Sequence, residues 1–93
     1  MEFEWDDAKA AANLAKHGVA FDEALTVFDD PLAAIFYDEQ HSSREIRELI
    51  IGQSVQGRLV LVCFSERAKR VRIINARPAT KRERRDYEEN VSR

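Results

Sequence analysis

The first residues alternate, Glu2-Phe3-Glu4-Trp5, which sets Phe3 and Trp5 on one side and predicts a short strand with Trp5 as a core anchor. Asp6 then suits the N-cap of a helix running through Lys16. Ala8, Ala11, Ala12 and Ala15 recur at helical spacing and predict its close-packed face. Gly18 suits a left-handed C-cap, with Lys16 and His17 at the negative end of the helix dipole. A second helix is expected over about Asp22 to Phe28, burying Phe21, Ala24, Leu25 and Phe28, and Asp29, Asp30 and Pro31 stop it.

Beyond Pro31 the pattern changes to that of a sheet. Leu32 to Tyr37, Ile46 to Gly52, Leu59 to Ser65 and Arg70 to Arg77 have strand composition, and Asp38 to Ser43 reads as a polar loop. Short connections at 53–57 and 66–69 require antiparallel neighbours, because a parallel crossover needs a dozen residues or more. After Pro78, Thr80-Lys81-Arg82-Glu83 fits a capping box, opening a helix from Lys81 to about Asn90. That helix is polar almost throughout, with Tyr87 and Val91 as its apolar anchors, and Tyr87 either pins it or contacts a partner. The layout predicts a small α+β fold in one domain over residues 1–93.

Composition narrows the classes. The chain has 93 residues, 44% of them hydrophobic, enough for a thin core and against wholesale disorder. No apolar run approaches the ~18 residues of a membrane span, and the acidic start is unlike a targeting peptide. Cys63 is the one cysteine, so an internal disulfide and a thiolate zinc site are not expected. A reduced, cytoplasmic protein without metal or cofactor is the resulting expectation. The net charge of −2 conceals a separation: residues 1–43 hold two basic against ten acidic groups, and residues 44–93 hold thirteen against seven. Nine basic residues fall within 67–85, with Glu83 as the sole acid there. Such a segment is either a solvated face or a site for an anionic partner, nucleic acid foremost.

Strand periodicity distributes the candidates. Arg47, Leu49 and Ile51 share a face, as do Val60, Val62, Phe64 and Glu66; Arg70 and Arg72 lie together, with Val71, Ile73, Asn75 and Arg77 opposite. The arginines either guard strand edges or converge, through Arg47, Arg72 and Arg77, on an open sheet surface that binds phosphate. His17 is either a dipole-complementing cap or a proton carrier. Glu66 is either a general base or an ion-pair partner of Arg67 or Arg70. Cys63 reads as a buried filler and His41 as an inert loop residue. Ser54 and Ser65 lack a triad, and neither a zinc-ligand spacing nor a glycine-rich phosphate loop is present.

The run from Phe3 to Phe21 (FEWDDAKAAANLAKHGVAF), then ALTVFDDP over 24–31, the Arg47…Ile51-Gly52 spacing and RIINARPATKRERRDYE over 72–88 together resemble the BrnT toxin family over nearly the whole chain. The resemblance implies a RelE-like fold, an antiparallel sheet with the N-terminal helices on one face. It implies the toxin half of a type II toxin–antitoxin pair, a ribonuclease that arrests translation without metal. The implied partners are RNA and a BrnA-type ribbon-helix-helix antitoxin, in an assembly of two copies of each, which contacts operator DNA through the antitoxin. On this reading Arg47 and Arg72 balance charge on the scissile phosphate, while His17 or Glu66 exchanges protons. Arg70, Arg77, Lys16 and Lys9 contact RNA. The sequence departs from the family pattern at Asn75, where serine is common before Ala-Arg. Two other readings stand beside this one: a nonenzymatic nucleic-acid-binding module, and a degenerate toxin whose arginines face only an antitoxin.

Overall fold

A computed structural model describes residues 1–39 and 45–91; His41 and most of the expected polar loop lie outside the described residues. The strand β1 spans Glu2–Glu4 and the helix α1 spans Asp7–His17. The caps are those the sequence predicts. Asp6 accepts a bond from the Lys9 N–H at 3.0 Å, and Gly18, at φ 70°, donates its N–H to Leu14 at 2.9 Å. The second helix divides into α2 at Phe21–Ala24 and a 3₁₀ turn at Leu25–Asp29. Phe21, Ala24 and Val27 are its buried apolar positions and Glu23 its buried acid. Leu25 and Phe28, expected to be buried, are half-buried against the core, because a spacing of three brings only one face of a 3₁₀ helix round to it.

Four strands follow, β2 at Ala34–Tyr37, β3 at Glu48–Gln53, β4 at Leu59–Arg67 and β5 at Arg70–Pro78, and then helix α3 at Lys81–Val91. The sheet order is β1-β5-β4-β3-β2, with β2 to β5 antiparallel as their short connections require. β1 instead pairs in parallel with β5, Glu2 opposite Arg70 and Glu4 opposite Arg72. The α+β class therefore holds with a mixed sheet. All the intervening elements serve as the long connection that a parallel pair needs.

One sheet face carries the main core. Ile50, Val60, Val62, Phe64, Val71 and Ile73 pack there against Val19, Phe21, Ala24 and Val27 from the N-terminal helical segments. Edge-to-face contacts join Trp5 to Phe21, and Phe28 to both Phe3 and Phe64, with ring centres 5.0 to 5.9 Å apart. The other face holds a smaller cluster of Ile51, Leu59, Leu61 and Tyr87 beneath α3.

The buried face of α1 differs from the alanine stripe. Ala8, Ala11, Ala12 and Ala15 are exposed, and Asn13 is the residue buried, with Ala10 packed against the core. Alanine favours a helix on any face, so its spacing carries little information about burial. The Asn13 carboxamide donates to the carbonyls of Val19 at 2.9 Å and Ala76 at 2.8 Å, and accepts from the Ala76 N–H at 3.1 Å. β1 reaches only as far as Arg72, so the asparagine serves Ala76 as a neighbouring strand would.

Helix α3 starts on the predicted box. The Thr80 hydroxyl accepts from the Glu83 N–H at 3.1 Å, and the Glu83 carboxylate accepts from the Thr80 N–H at 2.9 Å. Of its two apolar anchors, Val91 stays exposed and Tyr87 is buried, donating its hydroxyl to Asp30 at 2.7 Å. Burial, reinforced by that carboxylate, pushes the phenol up to about 12. Asp30 also accepts from the N–H groups of Leu32 and Gln53. A Cβ on Gly52 would sit 2.9 Å from that of Ala33 and 3.0 Å from the Asp30 carboxylate, so only glycine allows this approach.

Replacing Asn13 by alanine leaves the Ala76 peptide group buried without its partners. We expect a loss of about 2–4 kcal/mol in urea unfolding. Ala12→Ser, on the exposed side, should stay within about 0.5 kcal/mol, and equal losses would contradict the buried role of Asn13.

Candidate active site

The exposed end of the small-cluster face holds a recess lined by charged and polar side chains, and an irregularity in β5 determines what stands there. Cys63 pairs with Asn75 and Phe64 with Ile73, so Ile74 has no opposite residue on β4. This bulge inverts the alternation. Val71 and Ile73 point to the core before it and Ala76 points there after it. Asn75 and Arg77 thereby join the face of Arg72, where strict periodicity had set them opposite. The doublet Ile73-Ile74, which breaks an otherwise regular alternation, is the one trace of this in the sequence.

The resulting cleft has a volume of about 270 Å³ and is lined by Asp38, Arg47, Leu49, Leu61, Cys63, Asn75 and Arg77. Arg47 projects from the segment entering β3 and is half-buried, its Nε shut away from solvent. Arg77 is held by a two-pronged ion pair with Glu83, at 2.8 and 2.9 Å. The pairing keeps the Arg77 guanidinium protonated and holds the Glu83 carboxyl below the usual carboxylate range. Glu83 thus joins the start of α3 to the cleft, beyond the capping role visible in sequence.

Cys63 forms part of the floor. It is buried as expected, its Sγ 4.0 Å from an Asp38 oxygen. Burial, with help from the Asp38 charge, pushes its thiol up to about 11, so it stays protonated and unreactive near neutrality. Asp38, Asn75 and Cys63 are the cleft residues that sequence reasoning did not assign to chemistry. Asp38 looked like the first residue of a loop, and nothing local showed that β3 would bring Arg47 beside it.

The other candidates lie elsewhere. Arg72 is on the same face outside the cleft, bonded to Glu4 at 3.0 Å, and Arg70 pairs with Glu2 at 3.3 Å. Both pairs join residues directly opposite across β1 and β5. Glu66 is exposed near the end of β4 on the opposite, core-side face, where its charge, after burial, helps to raise the Glu48 carboxyl. Arg67 pairs with Glu45. Lys9, Lys16 and His17 belong to α1, which packs against the core side, and none of the three lines the cleft. The structure therefore brings Arg47 and Arg77 together and separates from them Arg70, Arg72, His17, Glu66, Lys9 and Lys16.

The sequence profile of one family, described as "Ribonuclease toxin, BrnT, of type II toxin-antitoxin system", matches residues 5–83. The chain belongs to the BrnT family. The fold agrees: the crystal structure of the Brucella abortus ribonuclease toxin BrnT superposes with a TM-score of 0.67, covering 87% of this chain and 99% of that one at 24% identity. No curated protein matches the chain. The matched stretch contains every residue lining the cleft and also Glu83. Membership of the BrnT family places the chain among the ribonuclease toxins of type II toxin–antitoxin systems, a class that implies an antitoxin partner. No described helix is long and apolar enough to cross a membrane.

The buried thiol provides a check on the cleft that does not depend on activity. At pH 8 Cys63 should alkylate with iodoacetamide roughly a hundredfold more slowly than a free thiol, and speed up only as pH approaches 11. Ordinary cysteine reactivity at pH 8 would show that the floor is open.

Proposed function

We propose that this BrnT-family chain is an endoribonuclease that cuts RNA without a metal ion, using the cleft between Arg47 and Arg77. The observation that carries this reading is the convergence of two guanidinium groups, an amide and a carboxylate on one recess of the open sheet face. Metal-free cleavage employs the ribose 2′-OH against the adjacent phosphorus. Negative charge gathers on the phosphate oxygens as the 2′-oxygen bonds to phosphorus and the 5′-oxygen departs. Arg47 and Arg77 stay charged and can each face two oxygens, so they stabilise that state, and the Asn75 amide donates a further hydrogen bond.

The role of proton acceptor falls to Asp38, and not to the sequence candidates His17 and Glu66. Asp38 is the carboxylate lining the cleft, and it accepts the 2′ proton while solvent protonates the leaving 5′-oxygen. The products are a 2′,3′-cyclic phosphate and a 5′-hydroxyl. Arg70, Lys9 and Lys16 do not line the cleft and serve RNA steering through their charge. In the cytoplasm a BrnA-type ribbon-helix-helix antitoxin neutralises the toxin, two copies of each assembling together. Operator DNA is contacted through the antitoxin.

Cleavage of an RNA oligonucleotide should fall about a hundredfold or more in Arg47→Ala and in Arg77→Ala. Arg72→Ala should change it less than about tenfold, because Arg72 lies outside the cleft. EDTA should leave the wild-type rate unchanged. Wild-type rates in both cleft variants, or abolition by EDTA, would overturn the proposal, and RNA binding without any cleavage would reduce the chain to a binding module.

A further inference from the structure

β2 is one of the two edge strands of the sheet. The Asp38 N–H donates to the Arg47 carbonyl at 2.9 Å, in register with the Ala34–Ile51 and Phe36–Leu49 pairs. Antiparallel bonding alternates, so the peptide groups of Ile35 and Tyr37 turn to the outer edge. Around them the surface is apolar: Ile35 is 57% exposed, Phe36 47% and Tyr37 68%. An edge strand of this composition, without lysine or proline, is the kind that soluble proteins ordinarily guard or occupy.

Beside it runs a groove of about 300 Å³ between β2 and α3, lined by Ala34, Phe36, Ile51, Glu83, Asp86, Tyr87 and Asn90. Its α3 wall is a stripe at 83, 86, 87 and 90. That stripe presents Glu83 and Asp86, although α3 also carries Lys81, Arg82, Arg84 and Arg85. Arg77 balances Glu83, so Asp86 gives the groove its negative charge, which repels an RNA backbone. A second copy pairing β2 to β2 would bring the same like charge with it. A cationic polypeptide suits both features.

We infer that the β2 edge and its groove receive an extended protein segment that adds a strand to the sheet, seats an apolar side chain against Phe36 and Tyr87, and sets a lysine or arginine against Asp86. Main-chain bonds to Ile35 and Tyr37 supply the pairing, and the groove supplies the selectivity. The inference rests on the antitoxin reading above, which makes the antitoxin the source of this segment. Glu83 stands at the junction, lining the groove while holding Arg77 in the cleft, so the occupant sits next to the catalytic arginine.

The test uses the full chain and the protein encoded by the reading frame adjacent to its gene. Ile35→Pro removes an outward N–H, which an edge strand tolerates, and Asp86→Lys reverses the groove charge. Each variant should weaken the complex roughly thirtyfold or more, with wild-type melting temperature and RNA cleavage. Hydrogen exchange at Ile35 and Tyr37 should slow in the wild-type complex. A complex of undiminished affinity in both variants, with unchanged exchange at those amides, overturns the docking surface and leaves the antitoxin reading intact. Failure of wild-type chain and neighbour to associate overturns both. A wild-type dimer in the absence of the neighbour that Ile35→Pro turns into monomer makes a second copy the occupant and overturns the inference.

Discussion

The peptide group of Ala76 faces away from β4 on a stretch of β5 that β1 does not reach, and a single carboxamide, that of Asn13, takes up its N–H and its carbonyl. Two residues earlier, Ile74 is the extra residue that inverts the alternation of the strand. The asparagine lashes α1 to β5 just past that irregularity, where a regular ladder would offer the least support. The position of the bulge decides that Asn75 and Arg77 stand on the open face with Arg47 while Ala76 stays in the core. The cleft, the ion pair to Glu83 and the seating of α3 all follow from that inversion. In a domain with so thin a core, one buried polar clamp provides alignment that apolar packing alone leaves loose.

The separation of charge along the chain takes on a structural meaning in the fold. Much of it is spent within the molecule: Glu2 and Glu4 on β1 face Arg70 and Arg72 on β5, and Glu23 below the helices holds Arg58. Exposed pairs such as Glu2–Arg70 contribute little stability. Their effect is to withdraw arginines from the count of those free to meet an anion. Arg58 differs, since its partner Glu23 is buried and also receives the Ser54 hydroxyl, and the guanidinium reaches the Gly18 carbonyl. That node ties the end of α1 and the start of α2 to the β3–β4 turn. A basic segment read from composition thus overstates the surface available to an anion, and Arg47 and Arg77 are set apart by lining the recess, with Arg77 oriented there by its pair with Glu83.

Local chemistry was legible wherever it is decided locally. Asp6 and Gly18 cap α1, the Thr80–Glu83 box opens α3, and short connections force β2 to β5 to run antiparallel. What escaped was decided at a distance. The alanines of α1 suit any face, so only the long-range bonds of Asn13 to Ala76 reveal which side is buried. β1 carries no mark that its partner lies some seventy residues away in parallel. The bulge left only the Ile73-Ile74 doublet. Arg47 and Arg77 were both named from sequence, but no spacing rule shows that Arg72 stands outside the cleft, opposite Glu4 on β1. Asp38 entered the site because the strand pairing of β2 with β3 carries it there.

On the proposed reading RNA binds the open sheet face created by the bulge, and not the face of α1. Titration with a 2′-O-methyl RNA oligonucleotide, which binds but lacks the attacking hydroxyl, followed by NMR of the backbone amides and arginine side chains, reads this directly. The largest shifts should fall at Asp38, Arg47, Asn75 and Arg77 and fade at high salt. Shifts concentrated at Lys9, Lys16 and His17, with the cleft resonances unmoved, would contradict it.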